Sequence, residues 1–205
     1  MLADTVTSAL REAISDGEFE PGQQLSEIRA AERFDCSRNT LREAFAMLGA
    51  QGLVHRKPNR GVFLAVPDAE FVRDLYLARA ALEPAGVRWG TFDDPGALVT
   101  LTASAREHLD EPGHAMVSNI NQRFHRALVA SLGSVSLDRE MSNLLARMRL
   151  SFLRVIPRYP DLHASHIDGN VELATLIAEG KREDAAELSR ATLLGTLDKI
   201  LAVLD

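Results

Sequence analysis

The chain has one cysteine, Cys36, among 205 residues. A lone thiol excludes an internal disulfide and a cysteine-rich metal site, and it fits a reducing compartment. Its place between two helical patterns suits filling the turn that joins them. No basic-then-apolar leader precedes Leu2, and no apolar run approaches the roughly 18 residues of a membrane span. The expectation is a soluble, cytoplasmic protein with no membrane partner. Internal repeats and low-complexity segments are also lacking. So is an excess of basic charge: 23 Lys and Arg stand against 29 Asp and Glu, a net charge of -6. That balance argues against a protein that coats nucleic acid through bulk charge.

Distribution matters more than the sum. From Arg33 to Arg60 the basic residues Arg33, Arg38, Arg42, Arg56, Lys57 and Arg60 meet only Asp35 and Glu43. A locally positive surface on an acidic chain fits a site-selective nucleic-acid binder better than an unselective one. The length allows one large domain or two small ones, and 46% hydrophobic with 25% charged residues is ordinary for a globular protein.

Residues 2 to 17 carry Leu2, Val6, Ala9, Leu10 and Ile14 at three- and four-residue spacing before Asp16-Gly17, which reads as an amphipathic helix with a glycine exit. Glu20-Pro21-Gly22 is a turn. Ser26 can cap a short helix through Phe34, and Ser37 a second one in which Leu41, Ala44, Phe45 and Leu48 recur at i, i+3, i+4, i+7. Arg38, Asn39 and Arg42 then fall on the opposite face. Guanidiniums a turn apart beside an amide suit phosphates and base edges in a major groove. The two helices form a helix-turn-helix.

After Gly52 the period changes. Leu53-Val54-His55-Arg56 and Val62-Phe63-Leu64-Ala65-Val66 flank the turn-rich basic tip Lys57-Pro58-Asn59-Arg60-Gly61, so they should pair as a hairpin, the wing of a winged helix.

Glu20-Pro-Gly-x-x-Leu-Ser-Glu, Ser37-Arg-Asn-Thr-Leu-Arg-Glu-Ala, Gly52-Leu-Val and Pro58-Asn-Arg-Gly-Val-Phe, in that order, resemble the DNA-binding domain of the GntR family of bacterial transcription regulators. The resemblance implies that Ser37, Arg38, Thr40 and Arg42 lie against the operator and that Asn59, Arg60 and Gly61 enter the adjacent minor groove. Gly61 permits close backbone approach, and arginine is favoured where a narrow groove concentrates negative potential. The chain departs from many relatives at Asn39-Thr40-Leu41, where they place a threonine-proline pair. It departs again at Ile28, where they place an arginine.

From Pro67 onward the pattern is helical throughout. Six helices are expected, from Phe71 toward Gly90 with Pro84 as a kink, Leu98–Leu109, 115–132, Leu137–Ile156, Leu162–Glu179 and Arg182–Leu204. The fold class is therefore mainly α with a small β-hairpin: a winged helix-turn-helix at 1–66 and an all-α effector-binding and dimerisation domain at 67–205. Leu77-Ala-Arg79-Ala-Ala-Leu-Glu-Pro84, Arg123-Phe124-His125-Arg-Ala-Leu128 and Ile177-Ala-Glu-Gly180 with Ala185 resemble the six-helix FCD-type ligand-binding domain of the FadR subfamily.

That second resemblance implies a divalent metal held by one carboxylate and three imidazoles, the first two one helical turn apart. The corresponding positions here are Asn121, His125, Asn170 and Thr192, and a single histidine with a neutral amide makes a poor ligand set. The expectation is no metal cofactor. The one alternative set would combine His125 with His163 and His166, while Glu111 and His114 have metal-motif spacing interrupted by Pro112-Gly113. Without metal, Asn121, His125, Asn170 and Thr192 on inward faces suggest a pocket for a small polar or anionic metabolite, with Arg79, Arg147 or Arg149 as carboxylate partners.

The expected protein is a homodimer on a palindromic double-stranded operator, with a small-molecule effector that changes operator affinity. Two readings compete with it. One is a ligand-independent DNA-binding repressor. The other is an enzyme using the helical pocket, which no nucleophile-base pair, phosphate loop or intact metal set supports.

Overall fold

The computed structural model describes residues 2–110, 115–162 and 164–204. They divide into two compact units: the chain as far as Pro67 together with Ala146–Arg154, and Asp68–Leu145 together with Val155 onward.

The first unit begins with helix α1 (Leu2–Ser15), followed by strand β1 (Gln24–Leu25), helices α2 (Glu27–Arg33) and α3 (Arg38–Ala50), and strands β2 (Val54–Lys57) and β3 (Gly61–Leu64). Leu10 and Ile14 of α1, the four apolar residues of α3, and Leu25, Leu53, Val62 and Leu64 make one buried cluster. Ala146 and Leu150 join the same cluster, so a stretch read from sequence as wholly part of the helical domain contributes to the core of the first unit.

The sheet has three strands in the order β1-β3-β2, all antiparallel, with Val54 opposite Leu64 and Lys57 opposite Gly61. The expected hairpin is therefore one strand short of what forms. Two residues cannot show an alternating pattern, and β1 exists only because Gln24 and Leu25 pair with Phe63 and Val62.

The second unit contains α4 (Ala69–Trp89), α5 (Pro95–Ser104), α6 (Ala115–Ala130), the first half of α7 (Val135–Val155), α8 (Ala164–Ala178) and α9 (Arg182–Leu204). Asp68 and Asp94 cap α4 and α5 by accepting from the Phe71 and Ala97 backbone N–H groups. Helix α4 continues through Pro84. The expected second helix is split, because α5 gives way after Ser104 to a 3-10 turn at Ala105–His108.

Val87, Phe124, Leu128, Leu173, Ala174, Ile177 and Ala185 form one buried cluster of this unit; Ala105, Val117, Ile120 and Ile167 form a smaller one. A side chain on Gly86 would overlap the Leu128 backbone, so glycine is what lets α4 and α6 approach closely there.

Candidate functional site

Helix α3 is started by Ser37, whose extended backbone places Oγ 3.1 Å from the Thr40 N–H. The Ser37 and Thr40 hydroxyls are also 2.8 Å apart. With Leu41, Ala44, Phe45 and Leu48 committed to the core, Arg38, Asn39 and Arg42 stand exposed on the other face. Asn39 donates to the Glu43 carboxylate at 2.9 Å. Arg42 donates through Nε and Nη2 to one Glu27 oxygen, both at 3.2 Å. Arg56 of β2 lies 4.0 Å from the other oxygen of the same carboxylate.

At the wing tip Asn59 and Gly61 have φ of 57° and 100°, the left-handed conformations that asparagine and glycine adopt most readily. They turn the chain so that Arg60 N–H reaches the Lys57 carbonyl at 3.0 Å. Gln24 donates to the Arg60 carbonyl at 2.6 Å, tying the tip to β1. Asn59 and Arg60 are exposed. The residues expected to touch DNA thus lie on α3 and the wing of one unit. Sequence reasoning missed Glu27, although it stands directly after the cap Ser26.

In the second unit a buried charged cluster forms around Glu83. One of its oxygens accepts from Arg79 Nε at 2.7 Å and the other lies 2.7 Å from His125 Nδ1. Arg79 is 2% exposed and Glu83 fully buried. Burial alone would push the Glu83 carboxyl up, but Arg79 and His125 outweigh it and hold the group below the usual carboxylate range. The Arg79 guanidinium also lies 5.1 Å from the Tyr76 ring centre. Burial drives the Tyr76 phenol up to about 12. Glu83 is a second residue missed from sequence, though its i, i+4 spacing from Arg79 was available.

Asn170 donates to the Asn121 side-chain oxygen at 2.7 Å, so two of the expected pocket residues do meet. With His166, Thr102 and Ile120 they line a narrow cavity of about 10 Å³, room for roughly one water. Thr192 is half-buried and does not line that cavity.

Arg147 and Arg149 are placed elsewhere, in the stretch of α7 that belongs to the first unit. Arg149 donates to the Asp16 carbonyl at 3.3 Å and packs on Gly17. Periodicity shows that such a residue faces inward, not which element it faces, and Arg149 is not part of the cluster around Glu83.

The four positions implied for a metal do not fit one. Asn121 and Asn170 are neutral amides bonded to each other, Thr192 is a hydroxyl, and His125, whose Nδ1 lies against Glu83, is the single imidazole of the set. Among the described residues no group of three His, Cys, Asp or Glu side chains could hold an ion. His163, Glu111 and His114 lie outside the described residues.

The sequence profile of the bacterial regulatory proteins of the gntR family matches residues 2–64, and that of the FCD domain matches residues 74–194. The chain is 26% identical over 189 residues to the Nta operon transcriptional regulator of Aminobacter aminovorans, covering 91% of this chain and 88% of that one. A transcriptional regulator GntR of known structure from Rhodococcus sp. RHA1 is 33% identical, with a TM-score of 0.80 over 98% of this chain and 97% of the other. The E. coli McbR/YncC structure shares the fold at 21% identity, with a TM-score of 0.76 over 100% of this chain and 97% of that chain. Among the described residues no helix is long and apolar enough to cross a membrane. A capped, arginine-bearing helix beside a basic wing, joined to a helical FCD domain, identifies the chain as a DNA-binding transcription regulator of the GntR family.

Proposed function

We propose that this regulator works as a homodimer on a palindromic operator in the cytoplasm, and that a small organic acid or related anion bound in its helical unit changes operator affinity. Two winged helices are needed because one buries too little surface to select a site from a genome, whereas a twofold pair reads two half-sites together. Ser37, Arg38, Asn39, Thr40 and Arg42 face the major groove, and Asn59, Arg60 and Gly61 the minor groove.

The observation that carries the effector reading is Arg79. Glu83 pairs with its Nε, and the terminal nitrogens of this buried guanidinium, beside the Tyr76 phenol, are the donors a carboxylate would meet. His125, Asn121 and Asn170 supply polar groups on neighbouring helices of the same unit. The effector acts by binding one arrangement of the DNA-binding heads more tightly than another. Membership of the GntR family favours regulation over catalysis.

The second reading, a regulator without an effector, is favoured by the narrowness of the cavity beside Asn121 and Asn170. A thermal-shift screen of organic acids, followed by operator titrations with each hit, separates the two. An effector raises the melting temperature by linkage and moves operator affinity. If no acid does either, the ligand-independent reading stands.

A further inference from the structure

A carboxylate on the DNA-facing side of this head needs an explanation. Glu27 is the first helical residue of α2, where the positive end of the helix favours a negative side chain. Its side chain is 28% exposed, whereas those of its partners Arg42 and Arg56 are 58% and 65% exposed. The carboxylate is thus the anchored member, and the two guanidiniums, one from the recognition helix and one from the wing strand, converge on it. Together the three side chains leave one net positive charge where two arginines alone would present two.

We propose that Glu27 is a positioning residue that sets DNA specificity, by aiming Arg42 and Arg56 and discounting their attraction for phosphate. This rests on the reading of α3 and the wing as the DNA-contacting surface. A random duplex offers these arginines mainly phosphate oxygens, and leaving Glu27 for a phosphate exchanges one anion for another with little gain. An operator that presents paired acceptors, such as guanine O6 and N7, can replace the carboxylate with a geometry that matches the Arg42 fork. The carboxylate therefore weakens binding where sequence does not matter and leaves it intact where sequence does.

The test compares the full-length wild type with Glu27→Gln on operator and on scrambled duplex, by fluorescence anisotropy across a salt series. Freeing one arginine for phosphate steepens the dependence of log K on log salt by about 0.9 on scrambled duplex. The expected result is that steeper slope, tighter scrambled-duplex binding at low salt, and a fall of about tenfold in the operator-to-scrambled ratio, the counterpart of the roughly 1.4 kcal/mol per decade of affinity. In an Arg42→Gln background the same substitution should change the slope less, which ties the effect to the pair. Glu27→Asp should restore part of the ratio.

If Glu27 serves only to start α2, the glutamine variant melts earlier and loses affinity for both duplexes in parallel, with the slope unchanged. An unchanged or shallower slope on scrambled duplex overturns the proposal, whatever happens to stability. Failure of the wild type itself to prefer any duplex would refute the DNA-contact reading instead.

Discussion

Replacing Glu83 with glutamine keeps the shape of the side chain and removes its charge. The wild-type carboxylate is fully buried and makes two contacts at 2.7 Å, to Arg79 Nε and His125 Nδ1. Hydrogen bonds to charged groups contribute about 1.5–3 kcal/mol each, and breaking a buried ion pair by removing one partner costs about 3–5 kcal/mol because the other charge is left uncompensated. The two estimates overlap, so Glu83→Gln should lower the unfolding free energy by about 3–5 kcal/mol. Urea unfolding of the full chain at pH 7, followed by circular dichroism, measures it.

Replacing the pair together, Arg79→Met with Glu83→Leu, should cost less than Glu83→Gln, since no lone guanidinium remains buried and only the His125 contact is lost. The pH dependence has a definite sign. The Glu83 carboxyl is held below its ordinary value, so its stabilisation is present above the unfolded carboxyl range and is lost as pH falls through the lowered folded value. The gap between wild type and variant must therefore close on acidification. A variant within about 1 kcal/mol of wild type at pH 7, far under the cost of breaking a buried pair, would refute this reasoning, as would a gap that widens toward low pH.

Ser37→Ala removes the acceptor for the Thr40 N–H and should cost about 1 kcal/mol in the first unit, measured by the same unfolding assay. Stability should also decline as pH rises from about 10 toward about 12, because the unfolded Tyr76 phenol ionises before the buried one. Ultraviolet titration should show Tyr76 ionising late or together with unfolding. Elemental analysis of protein purified without chelator should find less than one zinc, nickel or manganese per chain, since Asn121, Asn170 and Thr192 offer only neutral oxygen donors beside the single imidazole of His125.

What could be read from sequence was whatever is specified locally. The α3 cap and its buried stripe follow from Ser37 and from Leu41, Ala44, Phe45 and Leu48, all within one short segment, and six helices of the second unit follow from the same periodicity. What could not be read depends on partners distant in sequence. Strand β1 is defined by β3, the Glu27 cluster by residues 15 and 29 positions away, and the place of Arg149 by Asp16 in the turn after the first helix. Pro95 also started α5 earlier than the apolar spacing suggested, because proline suits the first turn of a helix. Asn121 and Asn170 were legible as inward-facing polar groups, and they meet; the glutamate that joins Arg79 to His125 was not, because its partner on α6 is 42 residues away.

Regulation by this protein requires that the exposed face of α3 select a DNA sequence. The most direct measurement is anisotropy of a duplex recovered by footprinting genomic fragments, comparing wild type, Arg38→Ala, Arg42→Ala and the double variant. The wild type should prefer that duplex over a scrambled one by about 10³-fold or more. Each single substitution should cost about 1–3 kcal/mol of binding. A double variant that binds as tightly as wild type, or a wild type with no preferred duplex at any salt concentration, would contradict the account.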